Sequence, residues 1–481
     1  MSRQISRRTF VRTAAAALPA LTWLPLSEVE GASPLAALQG GRRPDPWARA
    51  DAIVRRIRVP KFASREFAIT KFGAVGDGQA MCTDAIHKAI AACRSAGGGH
   101  VVVPAGRFLT GAIRLQSGVN LHLAKNATLA FSGDALHYLP AVFTRWEGVE
   151  LMNYSPFIYA FDVENIAITG SGTLDGQAGP DAWWNWRGTG PTSGSRQTPA
   201  RNRLFEMQAR GVPVAERVFG DGYFLRPNFI QPYRSRNVLI EDVTIVNSPM
   251  WEIHPVLCQS VTVRGVTINS HGPNNDGCNP ESCRDVLIER CTFDTGDDCI
   301  ALKSGRNDDG RRVNVPVENV VIRDCSMKDG HGGVVIGSEI SGGASNVFAE
   351  RCRMDSPRLD RALRLKTNSV RGGTIAGVYM RDVTVGQVAE AVVTIDFFYE
   401  EGDAGKYPPV VRDIDVRKVT SKKSQYAFLL RGYKHAPISG VRVADCRFDG
   451  VEKPDVLEAV RDMELTNVSI NGKLFNERVT R

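Results

Sequence analysis

The chain has 481 residues, of which 43% are hydrophobic and 23% charged, with a formal net charge of +8. This composition is that of a globular chain, and its basic balance favours an acidic partner: nucleic acid, an anionic membrane or an acidic polysaccharide. Since there is no lysine-rich run or nucleic-acid-binding motif, no nucleic-acid partner is expected, and an acidic polysaccharide fits at least as well.

The N-terminal segment is typical of an export signal. MSRQISRRTFVRT precedes the apolar run AAAALPALTWLPL, which at roughly 13 residues is too short to span a bilayer. The arginine pair in Ser6–Phe10 predicts a twin-arginine signal over residues 1–32, with a general secretory signal as the alternative. We therefore expect a bacterial protein, periplasmic or secreted, free of the membrane once the signal is removed. Residues 33–60 are interpreted as an irregular lead-in.

A helix is predicted to begin at Thr83 and to end at the three glycines 97–99. One face of it is apolar: Ile86, Ala89, Ile90 and Cys93. Such a helix can cover the open N-terminal end of a stack of strands.

One phrase recurs along the chain, and each copy consists of two short alternating apolar strands separated by a polar bend. The copies begin at Asn165, Asn237, Ser260, Asp285, Asn319, Asn346, Gly377, Asp413, Gly440 and Asp462. From Asn237 onward their starts lie about 22 to 36 residues apart, as in solenoid repeats. We predict an all-β chain folded as a parallel β-helix, with Val and Ile inside and Asn or Cys forming ladders. A β-sandwich, the alternative, would give no reason for a repeated phrase.

The segment from about 177 to 233 breaks the period and carries three tryptophans: Trp183, Trp184 and Trp186. It is predicted to be a long insertion from one coil, and long ordered insertions are usually functional. Residues 61–481 are thus expected to form one β-helix domain that carries this insertion.

Ten cysteines in an exported protein allow disulfides, although that argument is strongest for small domains. Four of them occupy one place in the repeated phrase and are predicted to be stacked, buried thiols: Cys291, Cys325, Cys352 and Cys446. Cys278 with Cys283 is the pair for which a bond is first expected. No spacing typical of a zinc site is present.

The candidate site lies between His271 and Lys366. Asp276, Asp297 and Asp298 recur at intervals of about one repeat, followed by His331 and then by Arg364-Leu365-Lys366. Stacking of coils can gather these side chains on one face. Strand alternation points Arg364 and Lys366 outward together, suited to holding a carboxylate, and a solvated basic strand is the alternative.

Three clustered aspartates can divide the tasks of acid and base in glycoside hydrolysis, since mutual repulsion keeps one of them protonated. A calcium site is the chief rival interpretation. Against it, His331, Arg364 and Lys366 are unfavourable neighbours for a cation.

Four ordered motifs carry a family resemblance: Asn274-Asn275-Asp276, Gly296-Asp297-Asp298, Gly330-His331-Gly332 and Arg364-Leu365-Lys366. They resemble the signature blocks of the polygalacturonase family of glycoside hydrolases, and the resemblance extends from Lys71–Gly78 to the final coils. It implies a right-handed parallel β-helix that acts on pectin by inversion, without a cofactor or metal.

The resemblance also implies residue roles. Asp297 corresponds to the general acid, Asp276 and Asp298 to the pair that activates water, and His331 to the residue that supports the acid. Arg364 and Lys366 correspond to the galacturonate carboxylate clamp, with Asn274 as a further substrate contact. Asn275 and Leu365 depart from the usual threonine and isoleucine, and neither change removes a reacting group.

Thr144–Gly148 and the tryptophan-rich insertion resemble exo-acting bacterial members, so release of galacturonate from a chain end is expected of a monomer. Endo action stays open, as does hydrolysis of another pectin backbone, rhamnogalacturonan or xylogalacturonan. A pectate lyase would share the fold but use calcium. A non-catalytic carbohydrate-binding β-helix is the alternative from a different class.

Overall fold

The structure, a computed structural model, describes residues 45–188 and 194–481, and residues 46–481 form one compact unit. The predicted signal over 1–32 lies outside the described residues. The unit is a right-handed parallel β-helix whose coils stack into three ladders of parallel strands. The predicted fold is confirmed, and the β-sandwich is excluded.

The first ladder contains the first strand of each repeated phrase. Its strands are Glu66–Ala68, Gly99–Val103, Val119–Leu123, Glu164–Gly170, Arg236–Glu241, Gln259–Arg264, Arg284–Glu289, Val317–Arg323, Ala344–Glu350, Thr374–Arg381, Val410–Arg417, Ile438–Ala444, Val460–Arg461 and Met463–Ile470. The last of these pairs antiparallel with Lys473–Val479.

The second ladder contains the second strand of each phrase. Its strands are Asp77–Met81, Gly106–Thr110, Ala127–Phe131, Thr173–Asp175, Thr244–Val246, Thr267–Ser270, Thr292–Thr295, Ser326–Met327, Arg353–Met354, Thr384–Gln387, Thr420–Lys423 and Arg447–Phe448.

The third ladder was not apparent from the repeated phrase. It begins with Ile113–Arg114, Ile158–Phe161 and Ile230–Tyr233, continues through single bridges at Ile253 and Cys278, and ends with Ile300–Leu302, Val334–Ile336, Arg361–Lys366, Ala391–Asp396, Tyr426–Arg431 and Val456–Glu458. The turns between the second and third ladders carry the candidate acids.

The first residue of each phrase adopts the left-handed backbone conformation, for example Asn237 at φ 54° and Asp285 at φ 60°. Asn, Asp and Gly tolerate this conformation best, which explains why they recur there. Side-chain amides also join coils: Asn237 Nδ2 donates to Asn165 Oδ1 at 2.9 Å. The predicted asparagine ladder is therefore confirmed.

Aliphatic side chains fill the interior in columns, as predicted; one column in the first ladder runs through Ile240, Val263, Ile288 and Ile322. Cys291, Cys325 and Cys352 stack on consecutive coils. Cys446 occupies the same position farther along, after Val383 and Val419.

The expected bond between Cys278 and Cys283 does not form. All ten cysteines are buried free thiols. Cys283 Sγ donates instead to the carbonyl oxygens of Pro255 and Glu281. Burial in a large core makes a covalent staple unnecessary here.

Two helices cover the β-helix. The predicted helix spans Thr83–Ser95, and Ile86, Ala89, Ile90 and Cys93 are buried on the N-terminal coils. The prediction of an irregular lead-in over 33–60 is wrong in its described part, since Trp47–Arg56 is helical. Trp47 and Ile53 pack on Leu287, Val321 and Phe348 of the first ladder, and this tertiary contact stabilises the short helix.

The insertion lies between strands Thr173–Asp175 and Ile230–Tyr233. Its helices are Trp184–Arg187 and Gln197–Ala209, and Asn307–Val313 is a further short helix beyond it. A hairpin, Val142–Trp146 with Val149–Asn153, packs beside the insertion. Short 3-10 turns occur at Ile69–Phe72, Ala135–Tyr138 and Val214–Glu216. No helix of the described residues is long and apolar enough to cross a bilayer.

Candidate active site

Turns on neighbouring coils bring the three aspartates together. Asp276 follows strand Thr267–Ser270, whereas Asp297 and Asp298 follow Thr292–Thr295. The coils are joined by the Gly277 amide, which donates to Asp298 O at 3.0 Å. Carboxylate oxygens of all three residues lie within 4.8 Å of one another. The predicted convergence of the acids is therefore present.

Glycines let the backbones of these turns approach each other. A Cβ on Gly296 would lie 2.5 Å from the carbonyl oxygen of Gly272. Gly330 has φ +148°, and a Cβ there would lie 2.5 Å from the carbonyl oxygen of Asp297. A side chain at either position would push the coils apart and separate the acids.

His331 stands one coil beyond Asp297. Its Nδ1 lies 3.0 Å from Asp297 Oδ1, and its side chain is 53% exposed. The hydrogen bond with Asp297 outweighs desolvation and raises the pKa of His331 to about 9. Burial opposes ionisation of Asp297, but the partnership with His331 prevails and lowers its pKa. The pair thus holds one proton at neutral pH.

Asp276 is in the opposite electrostatic state. Burial raises its pKa well above the usual value, and the nearby charge of Asp297 adds to the effect. Asn279 Nδ2 donates to Asp276 Oδ2 at 2.9 Å, and Lys303 Nζ is 3.8 Å from the same oxygen. Asp276 therefore keeps a proton more readily than Asp297.

Arg364 and Lys366 point outward from strand Arg361–Lys366 as predicted, while Leu365 is fully buried. Lys366 Nζ lies 2.7 Å from Asp298 Oδ2, and Arg364 Nη1 lies 3.4 Å from Asp298 Oδ1. These contacts replace the hydration of a carboxylate that is itself completely buried. The cation pair is thus part of the acid cluster rather than a solvated basic strand.

Asn274 and Asn275 have different surroundings. Asn274 accepts from Arg226 Nη2 at 2.7 Å. Asn275 is buried, and its amide bonds Ser270, Gly272, Ser248 and Met250. Asn275 thereby braces the turn that carries Asp276, which explains a polar residue at this position.

Sequence reasoning missed three residues of the site. Lys303, next to Asp276, directly follows strand Ile300–Leu302, and a lone lysine after a buried strand was a signal that could have been used. Tyr399 places its ring 5.6 Å from the Arg364 guanidinium and 5.2 Å from Lys366 Nζ. Neither Tyr399 nor Arg226 had any pattern that linked it to the acids.

The hairpin and the insertion share a small apolar cluster beside the site. Trp146, Leu204 and Trp251 are buried in it. Glu147, at the tip of the hairpin, accepts from Arg201 Nε of the insertion helix at 2.7 Å. Trp251 also lies 4.7 Å from Lys303 Nζ, so this cluster reaches the neighbourhood of Asp276.

Three carboxyls could in principle hold a divalent cation. Here Lys303, Lys366 and Arg364 lie within 4 Å of them, and positive charges so close disfavour a cation. Carboxyls in different protonation states are instead what acid and base catalysis at a glycosidic bond requires. Fold and site together define a glycoside hydrolase built on a parallel β-helix.

The model of glycosyl hydrolases family 28 matches residues 223–468, and the chain belongs to this family. A Vitis vinifera protein named "Probable polygalacturonase" is 30% identical over 79% of this chain and 73% of its own length. The exo-poly-alpha-D-galacturonosidase of Dickeya chrysanthemi is 29% identical over 76% of this chain and 63% of its own. The crystal structure of a hyperthermoactive exopolygalacturonase from Thermotoga maritima superposes with a TM-score of 0.87 at 43% identity, covering 90% of this chain and 99% of that one.

Proposed function

We propose that this protein hydrolyses α-1,4-galacturonosyl linkages of polygalacturonate and releases galacturonate from a chain end. The observation that carries the proposal is the meeting of three carboxyls with Arg364 and Lys366. Two fixed cations beside the acids suit a substrate whose sugars each carry a carboxylate.

The residue roles follow from the charges. Asp298 stays ionised beside Lys366 and Arg364, and the pair of His331 and Asp297 holds the proton that Asp297 delivers to the leaving oxygen. Asp276 must lose its own proton before it can activate water with Asp298. Arg364 and Lys366 then share their charge between Asp298 and the galacturonate carboxylate, with Asn274 as a further contact.

This assignment yields a bell-shaped dependence of activity on pH. The acidic limb reports loss of the Asp276 proton, since the base must be free. The basic limb reports loss of the proton held by His331 and Asp297, since the acid must be loaded. Between the limbs both requirements are met.

Action at a chain end is supported by the wall beside the acids. The hairpin and the insertion helix Gln197–Ala209 pack together there around Trp146 and Leu204. The 43% identical structure is named an exopolygalacturonase. A wall at one end of a binding groove leaves room for a terminal sugar only.

Product analysis on polygalacturonate tests the function, with Asp297→Asn beside the wild type. We expect monomeric galacturonate with little early loss of viscosity, and a fall in kcat of about 10³-fold or more in the variant, because removing the general acid forfeits most of the chemical step. A rapid viscosity drop would overturn exo action, an ultraviolet-absorbing product would indicate a lyase, and no reducing ends would indicate a binding protein.

Proton NMR of the first product tests inversion. The carboxyl oxygens lie within 4.8 Å of one another, closer than the ~6.5–9.5 Å usual between the carboxyls of inverting enzymes. Inversion of an α linkage gives the β anomer first, and the α anomer would contradict it.

The remaining parts of the proposal concern the whole chain. Residues 1–32 act as a twin-arginine signal, and residues 61–481 form the catalytic domain of an exported monomer. Fusing 1–32 to a folded reporter, beside a fusion with both arginines Arg7 and Arg8 changed to lysine, tests the export route. Equal export of both fusions would contradict it.

A further inference from the structure

Lys303 has no role in the mechanism above, yet it lies against one of its acids. Its Nζ is 3.8 Å from Asp276 Oδ2 and 2.8 Å from Glu339 Oε2. The side chains of Lys303 and Glu339 are 3% and 7% exposed. A buried ammonium is costly unless its charge is used, so the location of this cation calls for a physical reason.

Lys303 ends a chain of ion pairs that starts in the insertion. Successive members are 4.0, 3.2, 3.4, 2.8 and 3.8 Å apart. They alternate in sign: Arg201, Glu400, Arg306, Glu339, Lys303 and Asp276. The wall beside the site is thereby connected to a carboxyl of the acid cluster, and Glu339 is the member that competes with Asp276 for Lys303.

We propose that Lys303 is a positioning residue whose charge keeps Asp276 available as a base, and that Glu339 sets how much of this charge Asp276 receives. The inference rests on the proposed hydrolytic function, in which Asp276 has to be ionised. Lys303 itself touches no reacting atom.

All groups that face Asp276 enter this balance. Burial, Asp297 and Asp298 favour its protonated form, while Lys303 and Lys366 favour the carboxylate. Glu252 also faces it; burial raises the pKa of Glu252 well above its usual value, so Glu252 stays neutral. Burial disfavours the charged form of Lys303, but Glu339 and Asp276 prevail and raise its pKa, so its positive charge persists. Among the positive neighbours, Lys303 is not committed to Asp298 as its main partner, and Lys366 is.

Lys303→Met and Glu339→Gln should move the acidic limb in opposite directions. Lys303→Met removes the nearby positive charge, so the acidic limb of kcat/KM on polygalacturonate should shift up by about one pH unit or more. Glu339→Gln removes the competitor, so the limb should shift down. At a pH just above the wild-type limb, Lys303→Met should lose about tenfold in activity, because the Asp276 carboxyl of the variant is then mostly protonated.

Lys328→Met is the matched control, because Lys328 pairs with Asp294 at 3.9 Å and does not face Asp276; its acidic limb should stay at the wild-type pH. Lys303→Arg keeps the charge and should restore most of the limb. If either single variant fails to fold, the double variant Lys303→Met/Glu339→Gln removes both charges together and should still shift the limb upward. Thermal unfolding monitors folding in every case.

The outcomes separate the two claims. A wild type that never hydrolyses polygalacturonate overturns the proposed function, and this inference with it. An active wild type whose variants lose activity without opposite limb shifts overturns the role of Lys303 alone.

Discussion

At the scale of single residues, two neighbouring carboxyls carry opposite pKa shifts. Asp276 and Asp297 are both aspartates in glycine-flanked turns, yet burial raises the pKa of the first, while His331 overcomes burial and lowers the pKa of the second. Catalysis by an acid and a base needs such a difference in the environments of similar groups. One imidazole and the two lysines at the acids provide it.

His331 predicts the basic limb of the pH profile. Its pKa is raised to about 9, so the pair with Asp297 keeps its proton below that pH and loses it above. We expect kcat/KM to fall as pH rises through about 9. His331→Gln should lower kcat by about 10²-fold or more and abolish this limb. His435→Gln, an exposed histidine on another loop, serves as control, and an unchanged limb in His331→Gln would contradict the assignment.

Lys366 predicts a preference for charged substrate. Lys366→Met removes the 2.7 Å contact with Asp298 and the proposed contact with the galacturonate carboxylate. We expect kcat/KM to fall about 10²-fold on oligogalacturonides, and by less on their methyl esters, which offer no charge to hold. Equal losses on both substrates would mean that Lys366 serves Asp298 alone.

At the scale of elements, the hairpin and the insertion are the parts that do not repeat. They pack on each other through Trp146, Val149, Ala200 and Leu204 rather than on the interior of the β-helix. Arg201 and Glu147 join their exposed sides. A wall of this kind can change without disturbing the coils beneath it, so it is the element in which exo action would be lost.

Trp146→Ala tests the wall. Truncating a buried tryptophan costs about 3–5 kcal/mol, and the loss should loosen the hairpin against the insertion. We expect oligogalacturonides to accompany the monomer among early products, as separated by anion-exchange chromatography. Trp47→Ala is the matched control: Trp47 is buried in a cluster on the first ladder, so stability should fall while the product pattern stays monomeric. The same products from both variants would contradict the role of the wall.

At the scale of the whole molecule, a stack of similar coils buries every thiol. Burial raises the pKa of Cys446 to about 11, and the other members of the cysteine column lie in the same interior. Thiolates are the reactive form, so these cysteines should be inert in the folded protein. Neighbouring coils rather than covalent links hold the molecule together.

Thiol titration tests this picture. We expect no reaction of the native protein with Ellman's reagent, reaction of all ten thiols after denaturation, and the same Tm with and without reductant. Fewer than ten thiols in the denatured, unreduced protein would show that a disulfide forms.

The repeated phrase and the four motifs sufficed to predict the β-helix, the capping helix from Thr83, and the meeting of the acids with Arg364 and Lys366. These features follow from short-range rules: strand alternation sets which side chains face inward, and Asn or Asp at left-handed positions marks each coil. Regular stacking then brings equivalent positions of successive coils together.

Only the tertiary structure decided the rest. It placed Lys303 and Tyr399 in the site, made Trp47–Arg56 a helix, left Cys278 and Cys283 unbonded, and set which acid carries a proton. The physical reason is that burial and charge at a residue come from neighbours on other coils. Their distances depend on loop lengths and packing, which no local pattern along the chain encodes.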